Sequence, residues 1–355
     1  MGIKNLHKFL KNNCIEIYTP VHLSNYSYKK VGIDISLYMF KYKTIYGDQW
    51  LQAFVRLIAC LRNNEIHCVF VYDNGAPPEK DLEKQTRIDS RNKIRDKIKL
   101  IEVDVKKYHN SGEISDLLIE IYEKYRNQDK VKRLLKSDNN IDFDVTVVET
   151  RIDKMKGQTV KIDSYDFELT KELFDIIGVP WILANGEAET MCSHMCISGL
   201  IDCVLSEDTD VLAYNTPLFL TKINTHNETC TEIRVENILE SLEITYETFR
   251  DLCIMCGTDY NKNIPRVGPE TSFKLLKKFE NIDGIKENTH YDVSILNHNR
   301  SRELFTLDDK LDIEIPFCKP PDWTKLNEFL FVNNCKIDMQ YIRKCFSPKQ
   351  LVFSE

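Results

Sequence analysis

The chain has 355 residues, 42% hydrophobic and 29% charged, which is ample for a sizeable core in one large domain or one domain with an appended module. A net charge of −7 argues against a protein that coats nucleic acid through bulk charge, yet leaves room for an enzyme with a local basic track. The 12 cysteines lie scattered in apolar runs, Met1–Leu6 lacks a signal-peptide core, Leu6 stands where a myristoylation signal wants Ser or Thr, and no apolar run reaches membrane-spanning length.

Residues 3–13 place Ile3, Leu6, Phe9 and Leu10 at helical spacing among basic residues, which predicts a short amphipathic helix. Lys30–Asp34 reads as a buried strand ending in a carboxylate, residues 48–63 as a helix, and His67–Asp73 as a second such strand. Two strands joined through a helix make a βαβ unit, with a ligand site at the carboxyl ends of a parallel sheet. From Glu79 to about Lys107 the chain is charged and free of Gly and Pro, hence helical. Lys80, Lys84, Arg87, Arg91 and Arg95 recur at steps of three and four and share one face. A solvated helix with a Glu83–Arg87 pair is the ordinary explanation of such a run. The nearly single sign of the stripe, beginning seven residues after Asp73, favours a track for a phosphate backbone.

Residues 113–136 form another amphipathic helix, and 144–148 pair with 158–162 as a hairpin. Helix returns at Ser164–Ile177 and stops at Gly178. The strand 179–183 delivers Glu187 and Glu189 to the start of a helix running to about residue 198, where the helix dipole tolerates anions. Val204–Leu212 runs from apolar residues into Glu207, Asp208 and Asp210 and out again. The helix Glu247–Cys256, the step Gly257–Tyr260, a turn at Ile264–Pro269 and the helix Glu270–Phe279 make a helix-hairpin-helix element. Its backbone amides and Lys274, Lys277 and Lys278 suit a duplex phosphate backbone without base reading. Residues 290–355 are irregular apart from helices at Trp323–Phe331 and Met339–Cys345.

Packing gains nothing from carboxylates set against hydrophobic segments, because like charges repel and their desolvation costs several kcal/mol. Divalent cations make such a cluster tolerable, and hard cations such as Mg²⁺ prefer oxygen ligands. The acidic positions are Asp34, Asp73, Glu187, Glu189, Asp208, Asp210 and Asp259. By contrast, Cys253-x-x-Cys256 and Cys192-x-His194-x-Cys196 lie on predicted helices with no second pair, and read as packed thiols. His7, His67 and His226 read as structural.

The order and contexts of these acids resemble the flap endonuclease (Rad2/XPG) family of structure-specific 5′ nucleases. The motifs are Met1-Gly2-Ile3, Gly32-Ile33-Asp34, Val71-Tyr72-Asp73, Gly186-Glu187-Ala188-Glu189, Glu207-Asp208-Thr209-Asp210, Gly257-Thr258-Asp259-Tyr260 and the turn 264–269. The resemblance implies an α/β, PIN-like nuclease domain over 1–245 with a central, mostly parallel sheet and a helical arch insertion at about 79–163. It also implies a helix-hairpin-helix module at 246–285 and a C-terminal segment, 286–355, wrapping on the core. Two Mg²⁺ ions, with Mn²⁺ as a substitute, are implied: one on Asp34, Asp73, Glu189 and Asp208 with Glu187 near it, the other on Asp210 and Asp259. Lys80 and Arg87 match basic residues that clamp the scissile phosphate. Phe40 matches an aromatic that stacks on a terminal base, with Tyr38 and Tyr42 as rivals. Lys84 and Arg91 continue the basic stripe, Gly2 sits close to the site, and the turn with Arg266 and Gly268, followed by Lys274, binds duplex with a K⁺ on its carbonyls.

Three departures stand out. The segment between Asp73 and Glu187 is longer than in typical flap endonucleases, which bears on substrate threading. Arg266 replaces the first Gly of the usual turn, which bears on the cation site. Residues 347–355 hold no sliding-clamp peptide, so no clamp tethering is expected. The expected partner is DNA with single-strand/double-strand junctions, handled by a monomer without a membrane, in replication, repair or recombination. The Lys/Asn/Ile-rich composition suggests a large DNA virus, and the location expected is intracellular, in the nucleus or a cytoplasmic viral factory. Two other classes are a 5′→3′ exoribonuclease and a PIN-fold scaffold without catalysis.

Overall fold

The computed structural model describes residues 2–126, 143–307 and 311–347. It divides into two units, one formed by Met1–Tyr42, Asp48–Asp81 and Ile162–Glu355, the other by Lys43–Gly47 and Leu82–Lys161.

The apolar runs of the first unit form a seven-stranded sheet. Its strands are β1 (Thr19–His22), β2 (Lys30–Asp34), β3 (His67–Tyr72), β4 (Trp181–Leu183), β5 (Cys203–Leu205), β6 (Leu218–Asn224) and β7 (Thr229–Arg234), in the order β1-β7-β6-β5-β2-β3-β4. Strands β4, β3, β2, β5 and β6 are parallel, whereas β7 runs antiparallel to β6 and β1 antiparallel to β7. Side chains alternate across the pleat. Cys68, Phe70 and Tyr72 of β3 therefore enter one core with the helices Ile35–Tyr46, Trp50–Asn63, Ser164–Ile177 and Trp323–Val332. Val69 and Val71 enter a second core with the helices Leu6–Asn13, Ala188–Ile197, Val235–Leu242 and Tyr246–Cys256. Both faces of the parallel strands are covered, which explains why they read as unbroken apolar runs. In β2, Gly32 sits where a Cβ would lie 2.5 Å from Ile201 Cδ1, so helix Ala188–Ile197 and its following turn can pack close.

Local signals explain the helix ends. Asp163 and Asp166 cap Ser164–Ile177 reciprocally, and Gly178 closes it with φ 77°. Helix Tyr246–Cys256 leads through Gly257 to the turn before helix Pro269–Phe279. Cys192, Cys253 and Cys256 are buried free thiols. Lys30 donates to the Ile315 carbonyl, which ties the segment after residue 311 to the start of β2. Among the described residues no helix is long and apolar enough to cross a membrane.

The second unit carries its own small core of Ile98, Ile101, Val105, Leu118, Ile121, Val148, Ile152 and Met155. They come from the helices Asp81–Ser111, Asp116–Tyr125 and Val145–Gly157. The hairpin expected at 144–148 and 158–162 is not formed; its first arm begins the helix Val145–Gly157. The β-branched run Val145–Val148 imitates a strand, but Val148, Ile152 and Met155 recur at helical spacing and are buried together, and Asp144 caps the Thr146 amide. Part of the expected helix 113–136, and residues 348–355 of the C-terminal segment, lie outside the described residues.

Candidate active site

Because β4, β3, β2 and β5 are parallel neighbours, their carboxyl ends open side by side. Asp34 is the last residue of β2, and Asp73 follows β3 directly. Glu187 is the N-cap of helix Ala188–Ile197, and Glu189 lies in its first turn. After β5 come Asp208 and then Asp210, the first residue of the short helix Asp210–Ala213. Asp259 enters from the turn after helix Tyr246–Cys256. All except Asp73 are buried.

Glu189, Asp208 and Asp210 each offer a carboxylate oxygen within 4.8 Å of the others. Asp34 Oδ1 accepts the Ser36 amide at 2.8 Å, and Asp73 accepts the Ser36 hydroxyl at 2.6 Å and the Ala188 amide at 2.8 Å. Burial and the Asp73 charge push the Asp34 carboxyl up to about 8. Burial, with Asp208 among the neighbouring carboxylates, likewise holds Glu189 and Asp210 well above the usual carboxylate range. Both Asp210 oxygens are buried without a hydrogen-bond partner among the described residues. An orphaned buried carboxylate is costly. Its cost disappears when a cation coordinates it, and the all-oxygen donor set fits a hard divalent ion.

Lys80 is drawn into this group. It donates to Glu187 and to Glu189, the latter at 2.9 Å, and lies 3.4 Å from Asp259. Burial alone would lower its ammonium, but Glu189 and Glu187 outweigh that and hold it above its ordinary value.

The chain start is pinned against the same loops. Ile3 N–H donates to Thr209 Oγ1 at 3.0 Å, and Lys4 N–H to the Gly257 carbonyl at 3.0 Å. Gly2 has φ 87°, and a Cβ there would lie 2.1 Å from Asp208 Oδ1, so no larger residue fits.

Residues 1–94 match the model of the XPG N-terminal domain and residues 178–259 that of the XPG I-region. A protein of Invertebrate iridescent virus 3, named as a probable RAD2-like endonuclease, is 35% identical over 356 residues, spanning 94% of this chain and 91% of the relative. The chain belongs to the Rad2/XPG family. The fold agrees with this. The catalytic core of Rad2 in complex with DNA substrate superposes with a TM-score of 0.62 at 17% identity over 94% of this chain and 95% of that one. Flap endonuclease-1 from Methanococcus jannaschii gives 0.58 at 20% identity, covering 93% and 95%.

Phe40 is half-buried, whereas its rivals Tyr38 and Tyr42 are buried. Arg266 takes φ 65°, the left-handed conformation that a glycine adopts freely, and is exposed. Gly268 is the extended N-cap of helix Pro269–Phe279 with open space at its Cα, and Lys274 is exposed on that helix. Lys84, Arg87 and Arg91 belong to the second unit, where Arg87 pairs with Glu83 at 3.2 Å and Arg91 Nε donates to the Arg87 carbonyl at 3.4 Å.

Sequence reasoning missed a line of hydroxyls that runs from half-buried Thr190 to buried Tyr260. Thr190 donates to Tyr214 at 2.8 Å, Tyr214 and Tyr260 share a bond of 2.7 Å, and Tyr260 donates to Glu187 Oε2 at 2.6 Å. The residues lie far apart in sequence, so no spacing rule links them; only the adjacency of Tyr260 to Asp259 offered a hint. Tyr260→Phe strips Glu187 of a donor and is expected to lower metal-free stability by about 1–3 kcal/mol. It should also weaken the Mg²⁺ dependence of cleavage; an unchanged melting temperature and Mg²⁺ titration would remove this role.

Proposed function

We propose that the chain is a structure-specific 5′ nuclease that hydrolyses DNA phosphodiester bonds at single-strand/double-strand junctions in replication, repair or recombination. The observation that carries this is the convergence of buried acids, with Asp210 unpartnered, at the carboxyl ends of parallel strands in a Rad2/XPG chain. Asp34, Asp73, Glu189 and Asp208, with Glu187 beside them, would hold one Mg²⁺, and Asp210 and Asp259 a second; Mn²⁺ suits the same oxygens. Such ions supply a nucleophilic water at neutral pH and stabilise charge on the attacked phosphate and leaving oxygen.

The chain's own groups do the rest. Lys80, already inside the carboxylate group, and Arg87, at the base of the long helix, would neutralise charge on the scissile phosphate. Phe40, part-exposed beside Lys41, would stack on a terminal base. The uncharged Gly2 region, packed against Asp208, would sit close to the reacting strand. The module 246–285 would hold duplex through Arg266, Gly268 and Lys274, with a K⁺ on the turn carbonyls, while Lys84 and Arg91 would guide the displaced strand. The free cysteines and the viral relative favour action inside the cell, in the nucleus or a cytoplasmic viral factory. A scaffold without catalysis is disfavoured because every carboxylate position is filled, and an exoribonuclease because of the hairpin module.

The test is a panel of 5′-labelled flap, nicked, bubble, four-way-junction DNA and single-strand RNA with Mg²⁺, using Asp208→Ala as control. Cutting near the flap base that disappears in the variant is the expected result. Cleavage of RNA alone, or equal activity in the variant, would falsify the assignment.

A further inference from the structure

Strand β6 lies next to β5 and parallel to it, with Leu220 paired to Leu205. Lys222, two residues beyond that pair, lies within β6 toward the end of the sheet from which Asp208 emerges. It is exposed and holds a left-handed backbone at φ 52°, within the register shift between Thr221 and Asn224. Its ammonium sits 5.7 Å from the centre of the Tyr18 ring. Tyr18 hydroxyl in turn meets His7 Nδ1 at 3.0 Å, and among the described residues Nε2 of that imidazole has no hydrogen-bond partner. His7 and Lys11 are one helical turn apart on Leu6–Asn13 and share a face. Partial desolvation, although the side chain is exposed, and the adjacent Lys11 hold the Lys222 ammonium below its ordinary value, and partial burial with Lys222 and Lys11 does the same to His7. Among the described residues no carboxylate is ion-paired with Lys11 or Lys222; the nearby Glu207 is taken by Lys41.

Isolated surface lysines are ordinarily solvated and need no explanation. Lys222 at the Tyr18 ring, with Lys11 beside it against their mutual repulsion, toward the end of the sheet that carries Asp208, calls for an anion. We propose that Lys11 and Lys222, with His7 beside them, form a phosphate subsite that holds the DNA backbone next to the carboxylate cluster, one strand along the sheet. The inference rests on the nuclease reading and adds a contact to it. The two ammoniums supply charge without a fixed fork, so the subsite positions the strand and reads no base.

The experiment measures binding of flap DNA by fluorescence anisotropy, with Ca²⁺ replacing Mg²⁺, across a range of salt. Lys11→Gln and Lys222→Asn are compared with the wild type; Asn tolerates the left-handed backbone at 222. Each change is expected to weaken binding about 3- to 10-fold and to reduce the slope of log K against log salt by about 0.9. Lys222→Arg should restore the slope, which separates lost charge from a damaged fold. One neutral methylphosphonate linkage in the DNA should weaken wild-type binding yet leave the Lys222→Asn variant indifferent. Wild-type slopes in both variants, with flap cleavage intact, would overturn the subsite and leave the nuclease standing. A wild-type protein that neither binds nor cuts flap DNA would overturn both.

Discussion

Asp210→Ala is expected to reduce single-turnover cleavage of flap DNA by at least about 10³-fold while leaving the metal-free protein as stable as the wild type, or more so. The two halves have one cause. Asp210 is fully buried, its two oxygens have no hydrogen-bond partner among the described residues, and burial plus Asp208 and Glu189 raise its carboxyl well above the usual range. Without a cation such a side chain is a burden. Its removal relieves like-charge repulsion and an unsatisfied group worth about 1–3 kcal/mol, against a modest loss of packing. With the cation the same side chain is a ligand, and its loss removes charge stabilisation where the phosphate reacts. Thermal melts in EDTA and in Mg²⁺ separate the halves. The variant should match or exceed the wild type in EDTA and lose most of the stabilisation that Mg²⁺ confers. A variant that cleaves at the wild-type rate, or melts several degrees lower in EDTA, would show that Asp210 serves the fold rather than an ion.

Much of this site was legible because carboxylates that end apolar runs conflict with packing, and conflict marks function. Asp34 closes a run of four buried residues in β2, and Asp208 and Asp210 interrupt buried residues on both sides. The helix Ser164–Ile177 was equally legible, since Asp163, Asp166 and Gly178 mark its ends chemically. The helix Val145–Gly157 was not. Its β-branched start follows local strand preference, and only burial against Ile98, Ile101 and Val105 of another helix reverses that preference. The tyrosine line to Glu187 and the pinning of Ile3 by Thr209 were illegible for another reason. They join residues 73 and 206 positions apart, and a single sequence records no such pairing. Lys80 is the instructive middle case. The basic stripe marked it as a phosphate contact, whereas the structure engages it with Glu187, Glu189 and Asp259.

That engagement sets the second large expectation. Lys80→Met removes the buried ammonium that pairs with Glu187 and Glu189, and among the described residues no other cation is ion-paired with them. Breaking a buried pair on one side costs about 3–5 kcal/mol, so the metal-free variant should melt well below the wild type. Mg²⁺ should then do more for the variant than for the wild type, because the ion enters a site no longer occupied by a competing ammonium. Titration calorimetry is expected to report tighter, not weaker, Mg²⁺ binding. Cleavage nevertheless should fall by about 10²–10³-fold, since the group that would meet the scissile phosphate has gone. Arg is not a neutral replacement here, because a planar fork does not fit three acids converging on a point charge. Tighter metal binding together with slower cleavage is a combination that a purely structural lysine does not produce. Weaker Mg²⁺ binding in Lys80→Met would instead mean that the ammonium helps to assemble the acids. Its place between Glu187, Glu189 and Asp259 would then be permanent rather than yielded to the ion.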